Sequence, residues 1–313
     1  MEDTEQKNKD ELINSNEKEN NSTNKIISLI IIIFFILSIA LVIIAIIIYF
    51  AKDKSLSELE VYKKYQKQGN ISVGGDSIVY KVKNKETNQT FALKEIKLEN
   101  NSIKNNVEND IKFMKACYNL SKISIQLIDE FEERSTKFLV TELYDEDLSI
   151  LLDKSEKGFD VGKIKSIIKE LNKILYELRE VKVVYNNIRL ESILVKNENK
   201  NEFEIKLSDY SKSKLLTKNE TFEKEWNIKP YSGDNKTISE FEKQDLFDIG
   251  KEIYRMLFKE RNKTVKEMIS KIGSDVEDAD LKNLLFSLLD EDFEKRIDWN
   301  DYFNHTFFVN DNN

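Results

Sequence analysis

One short stretch, Val183 to Ser211 (VVYNNIRLESILVKNENKNEFEIKLSDYS), concentrates side chains that could do chemistry. It carries the amide of Asn187, the guanidinium of Arg189, the hydroxyl of Ser192 and the carboxylate of Asp209. Only Asp209 is a strong ligand for a hard divalent cation, because a serine hydroxyl is a weaker, neutral donor. An amide has no basic lone pair, so Asn187 cannot take a proton as a general base. Arg189 could help position a phosphate. The lone Cys117 excludes an internal disulfide, and with a single histidine, His305, no Cys/His zinc cluster can form.

The elements that must position these groups are legible from periodicity. Gly69 to Val82 reads as strand, turn and strand, and Thr90 to Leu98 alternates as a strand carrying Phe91-Ala92-Leu93-Lys94. Ile123 to Glu132 and Lys137 to Leu143 read as two further strands of a small antiparallel sheet. Between Gly162 and Arg179, Ile164, Ile167, Ile168, Leu171, Leu175 and Leu178 trace one face of a helix packed into a core. Apolar residues at 40% and 18 Phe are ample for such a core, while a formal charge of −8 argues against a general nucleic-acid binder.

A different signal lies upstream. Ile26 to Ala51 contains no charge and, as a helix, would reach roughly 39 Å against a hydrocarbon layer of about 30 Å. It is too long for the apolar region of a cleavable signal peptide. A single transmembrane helix is expected over 26–51, after a disordered polar tail over 1–25 and before a juxtamembrane linker over 52–67. The tail carries four Lys and seven acidic residues, whereas residues 52–67 carry five Lys and three acidic residues. Positive flanks stay cytoplasmic, so the C-terminal part is expected in the cytosol, at a membrane that the sequence does not identify.

The segments from Gln68 onward, in this order, resemble the eukaryotic protein kinases. Tyr185 to Leu194 stands where that family has H-R-D-x-K-x-x-N-I-L, and Asp209-Tyr210-Ser211 stands for D-F-G. Phe91 to Lys94 is similar to V-A-I-K, and the 69–82 hairpin to G-x-G-x-x-G-x-V, with Ser72, Gly74 and Ser77 at the glycine positions and Asp76 at the tip. Val107 to Lys115 resembles the helix whose Glu pairs with that lysine, with Asp110 in its place. Glu142-Leu143-Tyr144 resembles the hinge between lobes, behind Thr141 at the pocket's gate. Asp245 to Gly250 is similar to D-x-W-S-x-G. Lys229-Pro230-Tyr231 stands for A-P-E without its Glu, while Arg296, the residue that would pair with it, is present.

The resemblance implies an α+β, two-lobed fold over 68–309, with a small antiparallel β lobe plus a helix (about 68–143) and a mainly α lobe (about 144–309). It implies an ATP pocket lined by Gly74, Val79, Ala92, Glu142 and Leu194, with Lys94 on phosphates and Asp110 as its partner. Asp209 would hold Mg²⁺, Ser192 would be a degenerate second metal ligand, and Asn187 a degenerate base beside Arg189. Asp245 would brace the catalytic-loop backbone, and His305 would be structural. The losses fall on the groups that do chemistry or hold phosphates. A membrane-anchored pseudokinase is therefore expected, with weak ATP and Mg²⁺ binding, regulating or scaffolding a protein partner such as another kinase. Two alternatives stay open. One is an active, atypical kinase that phosphorylates Ser, Thr or Tyr, and the other a membrane anchor or interaction module without nucleotide.

Overall fold

The computed structural model describes residues 33–35, 37–48, 59–74, 77–199, 202–232 and 238–309. The chain divides into two units, one reaching to Lys64 and one running from Tyr65. In the first, residues 33–35 and 37–48 are helical, and large apolar side chains such as Phe34, Leu41 and Ile48 are exposed. Among the described residues no helix is long and apolar enough to cross a membrane. The span expected over 26–51 extends beyond the described residues at both ends, and the tail over 1–25 lies wholly outside them. A short helix, Glu60–Lys64, follows within the stretch read as linker.

The second unit starts with a five-stranded antiparallel sheet: β1 (Tyr65–Val73), β2 (Ser77–Asn84), β3 (Thr90–Lys97), β4 (Leu127–Glu133) and β5 (Thr136–Thr141), in the order β1-β2-β3-β5-β4. The sheet begins at Tyr65, so the last three residues assigned to the linker already belong to it. Its register sets up the site. Val79 pairs with Lys94 and Lys81 with Ala92, while Ala92 pairs with Thr141 and Lys94 with Leu139. Directly paired residues share a face, and so do residues two apart on one strand. Val79, Ala92, Lys94, Leu139 and Thr141 therefore all lie on one side of the sheet.

Helix α1 (Asn101–Ser121) packs on that side through Val107 and Ile111 against Ile96 and Leu139. Its first turn is capped by the Asn100 side chain, which accepts from Ile103 N at 3.0 Å. Lys122 ends it in a left-handed conformation (φ 57°).

Below the sheet the chain becomes mostly helical. The two-residue strand β6 (Glu146–Asp147) leads into α2 (Leu148–Lys154), capped by Asp147. α3 (Val161–Glu180), capped by Asp160, buries the expected apolar stripe and Ile174 with it. At about 1.5–3 kcal/mol for each fully buried Leu or Ile, that stripe fixes the helix in the core far more strongly than propensity could. Then come β7 (Val183–Val184), a single 3₁₀ turn at Leu190–Ser192, and the hairpin of β8 (Ile193–Asn199) with β9 (Glu202–Leu207). β10 (Lys214–Leu215) pairs with β7, and α4 (Glu220–Trp226) follows.

The long helix α5 (Ile238–Phe258) runs through the middle of the core, with α6 (Val265–Asp275), α7 (Ala279–Leu288), α8 (Trp299–Phe303) and α9 (Thr306–Val309) around it. Gly250 allows α5 to approach the end of α7: a Cβ there would stand 2.9 Å from Leu288 Cβ. The result is a small β lobe with one helix and a larger helical lobe, the two-lobed architecture implied by the resemblance.

Candidate functional site

The loop from Tyr185 to Ser192 is fastened from beneath by α5. Asp245 accepts the backbone N–H of Tyr185 at 3.0 Å and of Asn186 at 2.6 Å. Burial pushes the Asp245 carboxyl up to about 8, although these two bonds oppose the shift. Asn186 is left-handed (φ 58°), a conformation that asparagine tolerates better than most residues. Two turns further along α5, Glu252 accepts from Leu190 N at 3.1 Å, and Arg255 beyond it forks onto Glu191 at 2.6 and 3.1 Å. From above, Tyr185 donates its hydroxyl to Ser208 O and meets the Tyr210 ring edge-on at 5.1 Å.

At the loop's upper face the arrangement departs from expectation. Asp209, itself left-handed (φ 65°), is bonded through one oxygen, Oδ2, by two donors. These are the Asn187 amide at 3.0 Å and the Arg189 guanidinium. Burial works to raise the Asp209 carboxyl, but Lys94, a hydrogen bond with Ser211 and Arg189 together hold it below the usual range. Ser192 is buried, and its hydroxyl turns back on the loop, toward Arg189 O at 2.8 Å and Asn187 O at 3.2 Å. These bonds use its single hydrogen, and burial within the loop encloses the oxygen lone pairs that a metal would need.

Mg²⁺ demands near-octahedral oxygen ligation. This centre supplies one carboxylate, already bonded on Oδ2, with an amide N–H₂ and a guanidinium as neighbours. Among the described residues no group of three or more His, Cys, Asp or Glu is placed to hold a metal ion. The residues as arranged do not fit the cation that the resemblance implies.

Lys94 reaches Asp110 at 3.7 Å, an ion pair too long for a good hydrogen bond, as the shorter side chain predicts. Asp110 is buried and accepts Tyr210 N at 2.7 Å. Its carboxyl is raised by burial against the pull of Lys94, with the charge of Asp209 adding to the rise. Beside it stands a residue that sequence reasoning missed. Asn109 Nδ2 lies 3.1 Å from each of the carbonyls of Tyr210, Ser211 and Ser213, tying α1 to the segment after Asp209. Arg255 was missed as well. A buried arginine three residues after Glu252 on one helix was its only trace in the sequence.

The pocket residues separate. Val79, Ala92 and Leu194 are each half-buried, as lining requires, and Leu194 sits in β8 opposite Asp147. Gly74 has no positive φ, and a Cβ there would meet only Ser77, at 3.5 Å, so nothing in its conformation requires glycine. The tip residue Asp76 lies outside the described residues. Glu142 was expected in the hinge, among the residues lining the nucleotide pocket. Its carboxylate accepts Gln126 N at 2.8 Å and Lys206 at 3.2 Å, its N–H donates to Gln126 O, and its carbonyl accepts from Thr141.

Two residues settle into the scaffold. Arg296, without a Glu at 229–231, rests on the carbonyls of Asp290 (3.0 Å) and Lys243 (2.9 Å) and on the Phe247 ring. His305 contacts Asn283 at 2.9 Å and accepts from Phe307 N.

A small antiparallel sheet over a helical lobe, with a lysine–aspartate pair and a braced loop between them, defines a kinase-type two-lobed protein. The chain belongs to the protein kinase family, since the family model "Protein kinase domain" matches residues 65–308. It is 23% identical over 263 residues to serine/threonine-protein kinase atg1 of Dictyostelium discoideum, covering 78% of this chain and 39% of that protein. It is 24% identical over 159 residues to human cyclin-dependent kinase-like 5, covering 50% and 16% of the two chains. Cyclin-dependent kinase-like 1 of Caenorhabditis elegans is 26% identical over 162 residues, at 51% and 44%. The chain thus spans less than half the length of these relatives.

Proposed function

We propose that this chain is a membrane-anchored pseudokinase, a regulatory or scaffolding protein whose kinase-like domain binds nucleotide weakly at most and acts through a protein partner such as another kinase. The observation that carries this reading is Asn187. At the place of the proton acceptor stands an amide whose N–H₂ donates to Asp209 at 3.0 Å, so the group facing the reacting position is a donor. The apolar run Ile26–Ala51 supports the anchor, and apolar side chains of its described helical residues are exposed. The lysine excess after it supports a cytosolic domain.

The alternative of an active, atypical kinase draws on a different observation: Lys94, Asp110 and Asp209 are gathered, and phosphoryl transfer rests largely on positioning and electrostatics. A relative named as a serine/threonine-protein kinase also supports it. A module that takes no nucleotide is the further alternative. The deciding experiment is phosphate transfer from labelled ATP to the chain itself and to general protein substrates. Incorporation no greater than that of Asp209→Ala is expected, and Asn187→Asp alone should restore little because these losses act as a unit. Transfer that Asp209→Ala abolishes would overturn the reading.

A further inference from the structure

We propose that Arg189 takes the place of a divalent cation in this pocket, so that nucleotide binds without Mg²⁺, its phosphates held by the Arg189 guanidinium and Lys94. The inference rests on the reading above that the pocket accepts nucleotide, and it concerns how.

Three features of the centre lead to it. The first is saturation of the metal ligand. A carboxylate oxygen has two lone-pair sites, and on Asp209 Oδ2 both are taken, one by the Asn187 amide and one by the Arg189 guanidinium. The orientation of that amide follows from chemistry, because its oxygen turned toward a carboxylate would be repelled.

The second is the absence of a compensating ligand: Ser192 is buried with its hydroxyl on two loop carbonyls. Asp209 also hydrogen-bonds Ser211, so an ion arriving with the phosphates finds a carboxylate already engaged and a row of N–H donors beside it. The third is that Arg189 is not used up. Its side chain is 48% exposed, and a guanidinium has five N–H donors in a rigid fork suited to phosphate. Lys94, 31% exposed and 3.7 Å from Asp110, is also only loosely held. The centre therefore already holds a cation in that place, with Asp209 orienting Arg189 where it would otherwise orient a metal.

The charge balance limits the affinity. Lys94 and Arg189 face Asp110 and Asp209, so the four side chains nearly cancel before a ligand arrives. A phosphate must share Arg189 with Asp209, which keeps affinity low without abolishing it. Adenosine, lacking phosphates, would gain nothing from either cation.

The test uses the full chain in mild detergent, with thermal unfolding and calorimetric titration by ATP, ADP and adenosine, each in excess EDTA and in excess Mg²⁺. ATP is expected to bind in EDTA at least as well as in excess Mg²⁺, and better than adenosine. Arg189→Gln should weaken ATP binding in EDTA by about tenfold or more, with Arg189→Lys retaining most of it. By freeing Asp209, Arg189→Gln should also make the residual binding respond to Mg²⁺, which loss of fold could not do.

ATP binding that requires Mg²⁺ in the natural chain would overturn the inference while leaving the nucleotide pocket standing. So would binding in EDTA that Arg189→Gln leaves unchanged, or binding by adenosine as strong as by ATP. No shift with any of the three at millimolar concentration, in either medium, would overturn the inference and the nucleotide-binding reading together.

Discussion

The two faces of the loop Tyr185–Ser192 are built to different standards. The lower face meets α5 through Asp245, Glu252 and Arg255, and every contact there pairs a buried or half-buried charge with a matched donor or acceptor. The upper face meets Asp209 through Asn187 and Arg189, and its groups satisfy one another instead of presenting themselves to a ligand. The contrast shows that positioning and chemistry are separable in this fold. A loop can be held in the catalytic conformation by side chains that never touch a substrate, and the residues it displays can then change without the loop being lost. If this comparison is sound, damage below should unfold the protein, and damage above should alter binding and local mobility while leaving the fold in place.

The largest effect is expected at Asp245. Replacing it with Ala strands two buried backbone N–H groups, each costing about 1–3 kcal/mol, so a loss of about 3 kcal/mol should appear in denaturant unfolding. The group also gives a pH signature. Its carboxyl sits at about 8 in the fold against an ordinary 3.8, so the folded state holds the proton more tightly than the unfolded chain. Its contribution to stability is then fully present below pH 3.8 and is lost as pH rises toward 8, a slope that Asp245→Asn should abolish. An Asp245→Ala variant as stable as the natural chain would erase the distinction between the two faces.

Arg255→Ala comes next. The guanidinium is buried and neutralises Glu191 and Glu252, the latter itself raised by burial. Removing one partner of a buried pair costs about 3–5 kcal/mol. Because Glu191 is roughly a third exposed and can rehydrate, about 2 kcal/mol is expected here. Arg255→Met, which keeps the packing of the stem, should recover part of this if hydrophobic filling matters as much as charge.

Much of this molecule could be read in the chain, and the reason is periodic packing. The stripe from Ile164 to Leu178 and the alternation around Lys94 repeat at the spacing of their elements, so they announce helix and strand. The anchoring Asp245 was found through the resemblance of Asp245 to Gly250 to the family's D-x-W-S-x-G, since nothing in the local periodicity singles it out within α5. What escaped depends on tertiary path. Nothing local marks Asn109 as the residue beneath three carbonyls a hundred positions away, since an exposed helix asparagine looks the same. The orientation of Glu142 toward Lys206 was hidden similarly, because the choice between facing a pocket and facing β9 is made by side chains from another lobe. Ser192 could be ranked as a poor metal ligand by its chemistry, but only coordinates show its hydroxyl turned onto the loop. The gate at Thr141, by contrast, lies on the pocket side of the sheet as its strand position implies.

Asn109→Ala sharpens the comparison from the upper side. It removes one amide shared among three carbonyls, of which only the best-aligned bonds are strong, so a loss of about 1–2 kcal/mol is expected. The Tyr210–Ser213 amides should exchange faster with solvent while those of α3 and α5 keep their protection. Uniform acceleration across the domain would mean that the tie is part of the global core.

The smallest effect in energy is the most informative in location. Cys117 lies on α1, fully buried, with Tyr210 as its polar neighbour. Burial pushes the thiol up to about 12, with that contact only partly opposing the shift, so the closed protein holds almost no thiolate at neutral pH. Alkylation must then proceed through openings in which the thiol titrates near its ordinary value of about 8.5, and the labelling rate reports the population of those openings. Cys117→Ala itself should cost only about 1 kcal/mol, since one small atom is removed from a site whose neighbours can relax. In the natural chain, labelling at pH 8 should be slow. Asn109→Ala should accelerate it about fivefold to thirtyfold, the factor that 1–2 kcal/mol implies if the opening is local. Asp245→Ala should accelerate it in proportion to its loss of global stability, because the loop's lower fastening opens only with the whole domain. If both variants fall on one line relating labelling rate to global stability, α1 and the helical lobe open as a single unit. If Asn109→Ala lies well above that line, the contact between α1 and the Asp209 segment is a separate, weaker joint.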